Sequence, residues 1–185
     1  MLEPTFWRTC RVLEGEKRLE CLRKVLETPG QSVQEIAKAL ALREDEASRA
    51  LRALQSRGLI QGTPFGRMVR YVPVANEAVH SAVALLGTMQ RMLKRKTLTE
   101  PEMHRQMKAF RHTRRLKIMS ALAARPLSLD ELQCRTGISR CALYRHLTLL
   151  ADLGHVVLDG NTKLYRLSRP KHAFGRRLRA LWFRR

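Results

Sequence analysis

Aromatic side chains make up only 5% of the 185 residues, so the core this chain can bury is built mainly from Leu, Val, Ile, Ala and Met. Acidic side chains are scarce as well: 16 Asp and Glu stand against 36 Lys and Arg, a net charge of +20. No stretch reaches the ~18 consecutive apolar residues of a membrane-spanning helix, so no membrane partner is expected. The opening run MLEPTFWRTCRVLEGEK is charged throughout and lacks the apolar centre of a secretion signal. Cys10, Cys21, Cys134 and Cys141 form no C-x-x-C pair, and free thiols in a reducing, cytoplasmic setting are expected. The six histidines, His80, His104, His112, His146, His155 and His172, fall in no nucleophile or metal motif, and no glycine-rich phosphate loop is present. The reading is therefore of a protein that is not an enzyme, with no catalytic residue, no cofactor and no metal site.

What is abundant is positive charge. A surplus of this size attracts polyanions and releases their counterions on binding. Residues 1–97 hold 17 basic and 10 acidic residues, a net +7, and residues 98–185 hold 19 and 6, a net +13. From Arg169 onward there are seven Arg or Lys and no acid.

The chain also contains itself twice. SVQEIAKALALREDEASRALRALQSRGLIQ, from Ser32, aligns without a gap to SLDELQCRTGISRCALYRHLTLLADLGHVV, from Ser128, at an offset of 96. Ser32 pairs with Ser128, Glu35 with Glu131, Arg49 with Arg145, Leu51 with Leu147, Leu54 with Leu150 and Gly58 with Gly154. Upstream, RLECLRKVL matches RLKIMSALA after one inserted residue, and downstream Tyr71 pairs with Tyr165.

Both copies carry the same punctuation. Ser32 and Ser128 each open an S-x-x-E capping box that starts a short helix. A turn follows at Leu40–Arg43 or Thr136–Ser139, then a second helix with leucines at helical spacing. Gly58 and Gly154 stand where a left-handed C-terminal cap is wanted. Two β-prone runs close each unit, and in the second copy Asp159-Gly160 signals the hairpin turn. Between the copies, ANEAVHSAVALLGTMQRMLKRK reads as an amphipathic helix with Val79, Ala82, Val83, Leu86 and Leu93 on its apolar stripe and Asn76 as its cap. TEPE, Thr99 to Glu102, marks the start of the second unit. KHAFGRRLRALWFRR places Phe174, Leu178, Leu181 and Trp182 on one side of a last helix. The expected fold is mainly α with small β-hairpin wings: two winged helix-turn-helix units, 1–97 and 98–185, joined by amphipathic helices as a pseudo-dimer.

The second copy, with RLKIMSAL, LSLDELQCRTGISRCALYRHLTLLADLGHVV and KLYRL, resembles the ArsR-type winged-helix transcriptional regulators, and the first copy is a looser likeness. The resemblance implies binding of double-stranded DNA on the nucleoid and self-association through the amphipathic helices, with any small-molecule effector unidentified. It does not extend to the metal-sensing members: the place of their paired cysteines holds Asp130-Glu131-Leu132-Gln133-Cys134, and the last helix offers only His172. Cys134 and Cys141 read as small buried or half-buried residues, with a thiol or soft-metal site as the alternative.

In a helix-turn-helix the second helix enters the major groove, and its N-terminal residues meet base edges. In the second copy Ser139 would cap that helix, while Arg140, Cys141, Tyr144, Arg145 and Thr148 fall opposite the leucines. Arginine pairs with O6 and N7 of guanine, and hydroxyls bond phosphate or base. His146 sits at the flank, between a phosphate contact and a packing role, and Asn161, Thr162 and Lys163 form the wing tip. In the first copy the matching surface is Ser48, Arg49 and Arg52 with Arg67 on the wing, but its helix starts Glu44-Asp45-Glu46. Carboxylates suit a helix N-terminus yet repel phosphates, so this copy reads as a weaker or more selective reader, or a scaffold. The expected function is sequence-specific regulation of transcription with the second copy as the main reader. The alternatives are a non-specific or architectural nucleic-acid binder and a winged-helix module for protein contacts.

Overall fold

The structure, a computed structural model, describes residues 6–94 and 99–183, without the side chains of His80 and Glu100. The chain forms two compact units, residues 1–104 and 105–185. The first contains α1 (Phe6–Leu13), α2 (Glu16–Glu27), β1 (Gln31–Ser32), α3 (Val33–Ala39), α4 (Glu44–Gln55), β2 (Gln61–Phe65), β3 (Met68–Val72) and α5 (His80–Lys94). The boundary between units falls within α6 (Glu100–Phe110). The second unit continues with α7 (Thr113–Ala121), α8 (Leu129–Thr136), α9 (Arg140–Asp152), β4 (Val156–Leu158), β5 (Tyr165–Leu167) and α10 (Ala173–Phe183).

The capping boxes form in both units. The Ser32 N–H donates to the Glu35 carboxylate at 2.7 Å, and the Glu35 N–H to Ser32 Oγ at 3.3 Å. The Ser128–Glu131 box repeats this at 2.7 and 3.2 Å. These reciprocal bonds satisfy helix-start amides that water would otherwise have to serve, and they hold both carboxylates below the usual range, Glu131 at about 2.

Each unit then buries one side of its helix pair. Ile36, Ala47, Leu51 and Leu54 are buried in the first, and Leu132, Leu143, Leu147 and Leu150 in the second. Each leucine taken from water contributes about 1.5–3 kcal/mol. The chain segment before the short helix then pairs with the wing. Gln31 pairs with Tyr71 within an antiparallel sheet of order β1-β3-β2, and Leu127 makes the corresponding bridge to Tyr165 beside the β4-β5 hairpin. The two backbone bonds of that bridge measure 2.8 and 2.9 Å.

Several local expectations need correction. The buried stripe of α5 is Ala82, Leu85, Leu86, Met89 and Met92, whereas Val83 is 44% exposed. Asn76 accepts from the Ala78 N–H at 3.0 Å, a turn preceding the helix rather than its cap, and Arg95, Lys96 and Leu98 lie outside the described residues. In α10, Phe174 and Leu178 are buried while Leu181 and Trp182 are only half-buried. The second wing does not turn tightly at Asp159-Gly160. Asp159 Oδ1 accepts from the Asn161 and Thr162 amides at 3.0 and 3.1 Å, and Lys163, at φ 56°, takes the left-handed conformation. The side-chain oxygen of Asp159 thus organises a longer loop.

The turn between the paired helices shows one asymmetry. Gly137 sits at φ 66°, where a residue without Cβ is unstrained, and its counterpart Ala41 adopts φ 51°. A Cβ in that region costs roughly 1–2 kcal/mol. Ala41→Gly should therefore stabilise the first unit by about 0.5–1 kcal/mol after the extra chain entropy of glycine is subtracted. Hydrogen exchange of the α3 and α4 amides under increasing denaturant measures this, and destabilisation would show that the alanine is unstrained.

Candidate nucleic-acid interface

The face of α9 opposite its leucines is open. Arg140, Cys141, Tyr144, Arg145 and Thr148 are all exposed, Tyr144 by 51% despite its ring. Five of the residues expected on the reading surface thus share one side of one helix. Ser139 occupies the N-cap position but makes no side-chain cap bond, contrary to expectation; only its carbonyl serves the helix, accepting from Leu143 at 2.8 Å. Its hydroxyl is exposed with the rest of this face.

Arg140 is tied to Asp130 of α8 at 2.8 Å. Both side chains are well exposed, and a pair of this kind is worth only about 0–1 kcal/mol, so a phosphate or guanine can displace the carboxylate. Arg145 has no ion-pair partner among the described residues. Burial, and secondarily the charge of Tyr144, push the Tyr165 phenol up. Lys163 stands exposed at the tip of that wing.

His146 packs against a second histidine at the flank of α9. It is half-buried, with its ring 4.9 Å from that of His112. Burial first, then the charges of His112, Arg115, Arg114 and Arg145, bring its pKa down to about 4. It is thus neutral at pH 7. The cations that depress it mark a basic flank beside α9 that the sequence reading missed, with exposed Arg114 as its clearest member. The run RHTRR, residues 111–115, was the available signal.

A second histidine is buried behind the wing. His155 is fully enclosed; its Nε2–H donates to Gln106 Oε1 at 3.1 Å, and Phe110 meets its ring edge-on at 5.1 Å. Burial and, less strongly, Arg179 bring its pKa to about 4.

The first unit arranges the corresponding surface differently. Arg49, the counterpart of Arg145, is held by Asp45 at 2.7 Å, and Arg43 reaches the same carboxylate at 3.3 Å. Lys17 bonds Glu46 at 2.6 Å, and together with the Arg43 N–H this keeps the Glu46 carboxyl low. Arg52 lies back on the Ser48 carbonyl at 3.4 Å, with Ser48 itself half-buried. Asp45 and Glu46 at the start of α4 are therefore both paired with cations. The wing of this unit is the more open part. Arg67 is exposed at the β2-β3 turn, next to Phe65 and Met68, which are 55% and 46% exposed, and Arg70 lies 4.1 Å over the Phe65 ring. Phe65 and Met68 were not singled out in the sequence.

Cys134 and Cys141 are exposed free thiols, a correction to their reading as buried or half-buried residues; Cys10 and Cys21 are buried. Among the described residues no group of three or more His, Cys, Asp or Glu is placed to hold a metal ion, and no helix is long and apolar enough to cross a membrane.

Residues 112–156 match the family described as bacterial regulatory protein, arsR family. That stretch runs from the start of α7 to the first residue of β4 and includes the whole of α8 and α9, so the likeness to the ArsR family falls on the helix-turn-helix of the second unit. Among solved structures, reduced HlyU from Vibrio cholerae is similar at 22% identity, covering 48% of this chain and 84% of its own, with a TM-score of 0.38. A homodimeric winged helix-turn-helix DNA-binding domain from Mycobacterium bovis is similar at 27% identity, covering 48% and 81%, with a TM-score of 0.36. No curated protein sequence matches the chain.

The two depressed histidines make the second unit acid-sensitive. Both folded-state values, about 4, lie below the ordinary 6.5, so the unfolded chain binds more protons in that interval. The stability they contribute is complete above pH ~6.5 and is lost as the pH falls through about 4. A proton NMR titration should find both rings titrating near pH 4, with the unfolding midpoint of the second unit dropping over the same range. Rings that titrate near 6.5 in the folded protein would contradict this packing.

Proposed function

We propose that the chain is a sequence-specific DNA-binding transcriptional regulator, made of two tandem winged helix-turn-helix units that act as a covalent pseudo-dimer, with α9 as the main major-groove reader. The single observation that carries this reading is the open face of α9, where Arg145 stands uncompensated beside Tyr144 and Thr148, inside the stretch that matches the regulator family. Arginine on a reading helix pairs with guanine, and its neighbours anchor phosphates. Ser139, Arg140, Cys141 and Lys163 complete the proposed contact surface, with His146 supporting it from behind.

The first unit is proposed as an unequal partner. Its Arg49 is neutralised within the helix by Asp45, so Ser48, Arg49 and Arg52 contribute less than their counterparts. Arg67 gives its wing a cation for the sugar-phosphate backbone. The cation-paired Asp45 and Glu46 at the start of α4 also favour a second reading, in which this unit serves a protein contact. The exposed faces of α5 and α10 are the proposed self-association surfaces, and the protein is taken to act in the cytoplasm, on the nucleoid.

Arg145→Ala should weaken binding to the preferred site by about 1–3 kcal/mol and relax specificity at one base pair. Arg49→Ala should cost less than about 0.5 kcal/mol, in line with the weak effect of disturbing an exposed, internally paired charge. Arg67→Ala should weaken all sequences alike and lower the salt slope by about one. Fluorescence anisotropy with labelled duplexes at several salt concentrations measures all three. Equal losses for Arg145→Ala on every sequence would favour the non-specific binder, and no DNA affinity at moderate salt would favour the protein-contact module.

A further inference from the structure

The first unit contains a cavity of about 440 Å³ walled by Trp7, Arg8, Arg11, Val12, Arg18 and Arg57. Its volume falls in the range of small-molecule sites, roughly 300–1,000 Å³. Four of the six lining residues are arginines and none is acidic. Residues on α1, at the start of α2 and just beyond the end of α4 meet there, although Trp7 and Arg57 are far apart in the chain.

The cations of this cavity are electrostatically unfinished. The Nε of Arg57 is buried and has no hydrogen-bond partner. Arg11 makes no ion pair among the described residues. Arg8 lies over the Trp7 ring at 5.2 Å, and Arg18 donates to the Val12 carbonyl at 2.6 Å. Elsewhere in the same unit arginines find carboxylates: Arg23 pairs with Glu27, and Arg43 and Arg49 with Asp45. A buried N–H without an acceptor is unfavourable, and four guanidinium groups around one space repel one another. That repulsion is relieved by one anion with several oxygens, which the forked guanidinium grips in pairs. Trp7 and Val12 supply an apolar wall for the rest of such a molecule.

We propose that this cavity binds a small organic phosphate, its phosphoryl oxygens held by Arg11, Arg18 and Arg57 and its apolar part against Trp7 and Val12. The site belongs to the first unit, and the DNA-reading surface assigned to α9 to the second. The same oxygens occur on the DNA backbone, and the test separates the two sources.

The chain has two tryptophans, so full-length protein carrying Trp182→Phe leaves Trp7 as the sole emitter. Titration with phenyl phosphate at fixed ionic strength should give a saturable change in Trp7 fluorescence. Arg57→Ala and Arg11→Ala should each weaken binding about tenfold or more, the scale of one lost charge-assisted pair. Arg57→Lys, which keeps the charge but loses the fork, should give a smaller loss and guards against misfolding of the alanine variant. Lys117→Ala, in the other unit, should leave the titration unchanged. Absence of saturation, or unchanged affinity in the Arg57 and Arg11 variants, would overturn the proposal. So would competitive displacement of phenyl phosphate by a short random-sequence duplex, which would assign the cavity to the DNA backbone.

Discussion

Burial of the α9 leucines is the constraint on which the rest of the second unit depends. Leu143, Leu147 and Leu150 leave water together against the helices before them. On a helix of about 3.6 residues per turn that choice fixes the opposite face as well, so residues 140, 141, 144, 145 and 148 project outward. The buried core and the composition of the exposed face are thus set by one rotation about one axis. The capping box at Ser128, the left-handed Gly137 and the bridge from Leu127 to Tyr165 hold the supporting helix and the wing around it. The neutral rings of His146 and His155 add to the packing that holds α9 and the wing in place.

The first unit uses the same constraint with another surface. Ala47, Leu51 and Leu54 turn α4 inward as the corresponding residues turn α9. The residues thereby exposed are acids and bases in mutual contact: Asp45 with Arg43 and Arg49, and Glu46 with Lys17. A helix of this kind presents little net charge to a phosphate. The apolar side chains and arginines at its wing show where this unit has surface left uncovered.

The local devices were legible in the sequence because each depends on residues close together. An S-x-x-E box needs four residues, and a leucine stripe needs three turns, so both helix pairs could be placed by pattern. The repeat matched Tyr71 to Tyr165, and the structure adds that each pairs with the segment before its short helix. What was not legible depended on distance or on a departure from type. Alanine is an unexpected occupant of a left-handed position, so Ala41 gave no signal, and Asp159 moved the left-handed residue of its loop from Gly160 to Lys163. Val83 fits a helical stripe by spacing but faces outward, because the side of α5 that is buried is chosen by its neighbours. The neutrality of His146 needs cations from α7, and the arginine cavity needs α1 and the end of α4 brought together. No window of sequence contains either.

The central claim is that one scaffold occurs twice with unequal reading surfaces. Selection of bound sequences from a random duplex pool tests it most directly. The account predicts one strongly specified half-site, flanked at a fixed distance by a region of weak preference. Two half-sites of equal information would contradict the inequality of α9 and α4, and a pool without enrichment would contradict sequence-specific reading altogether.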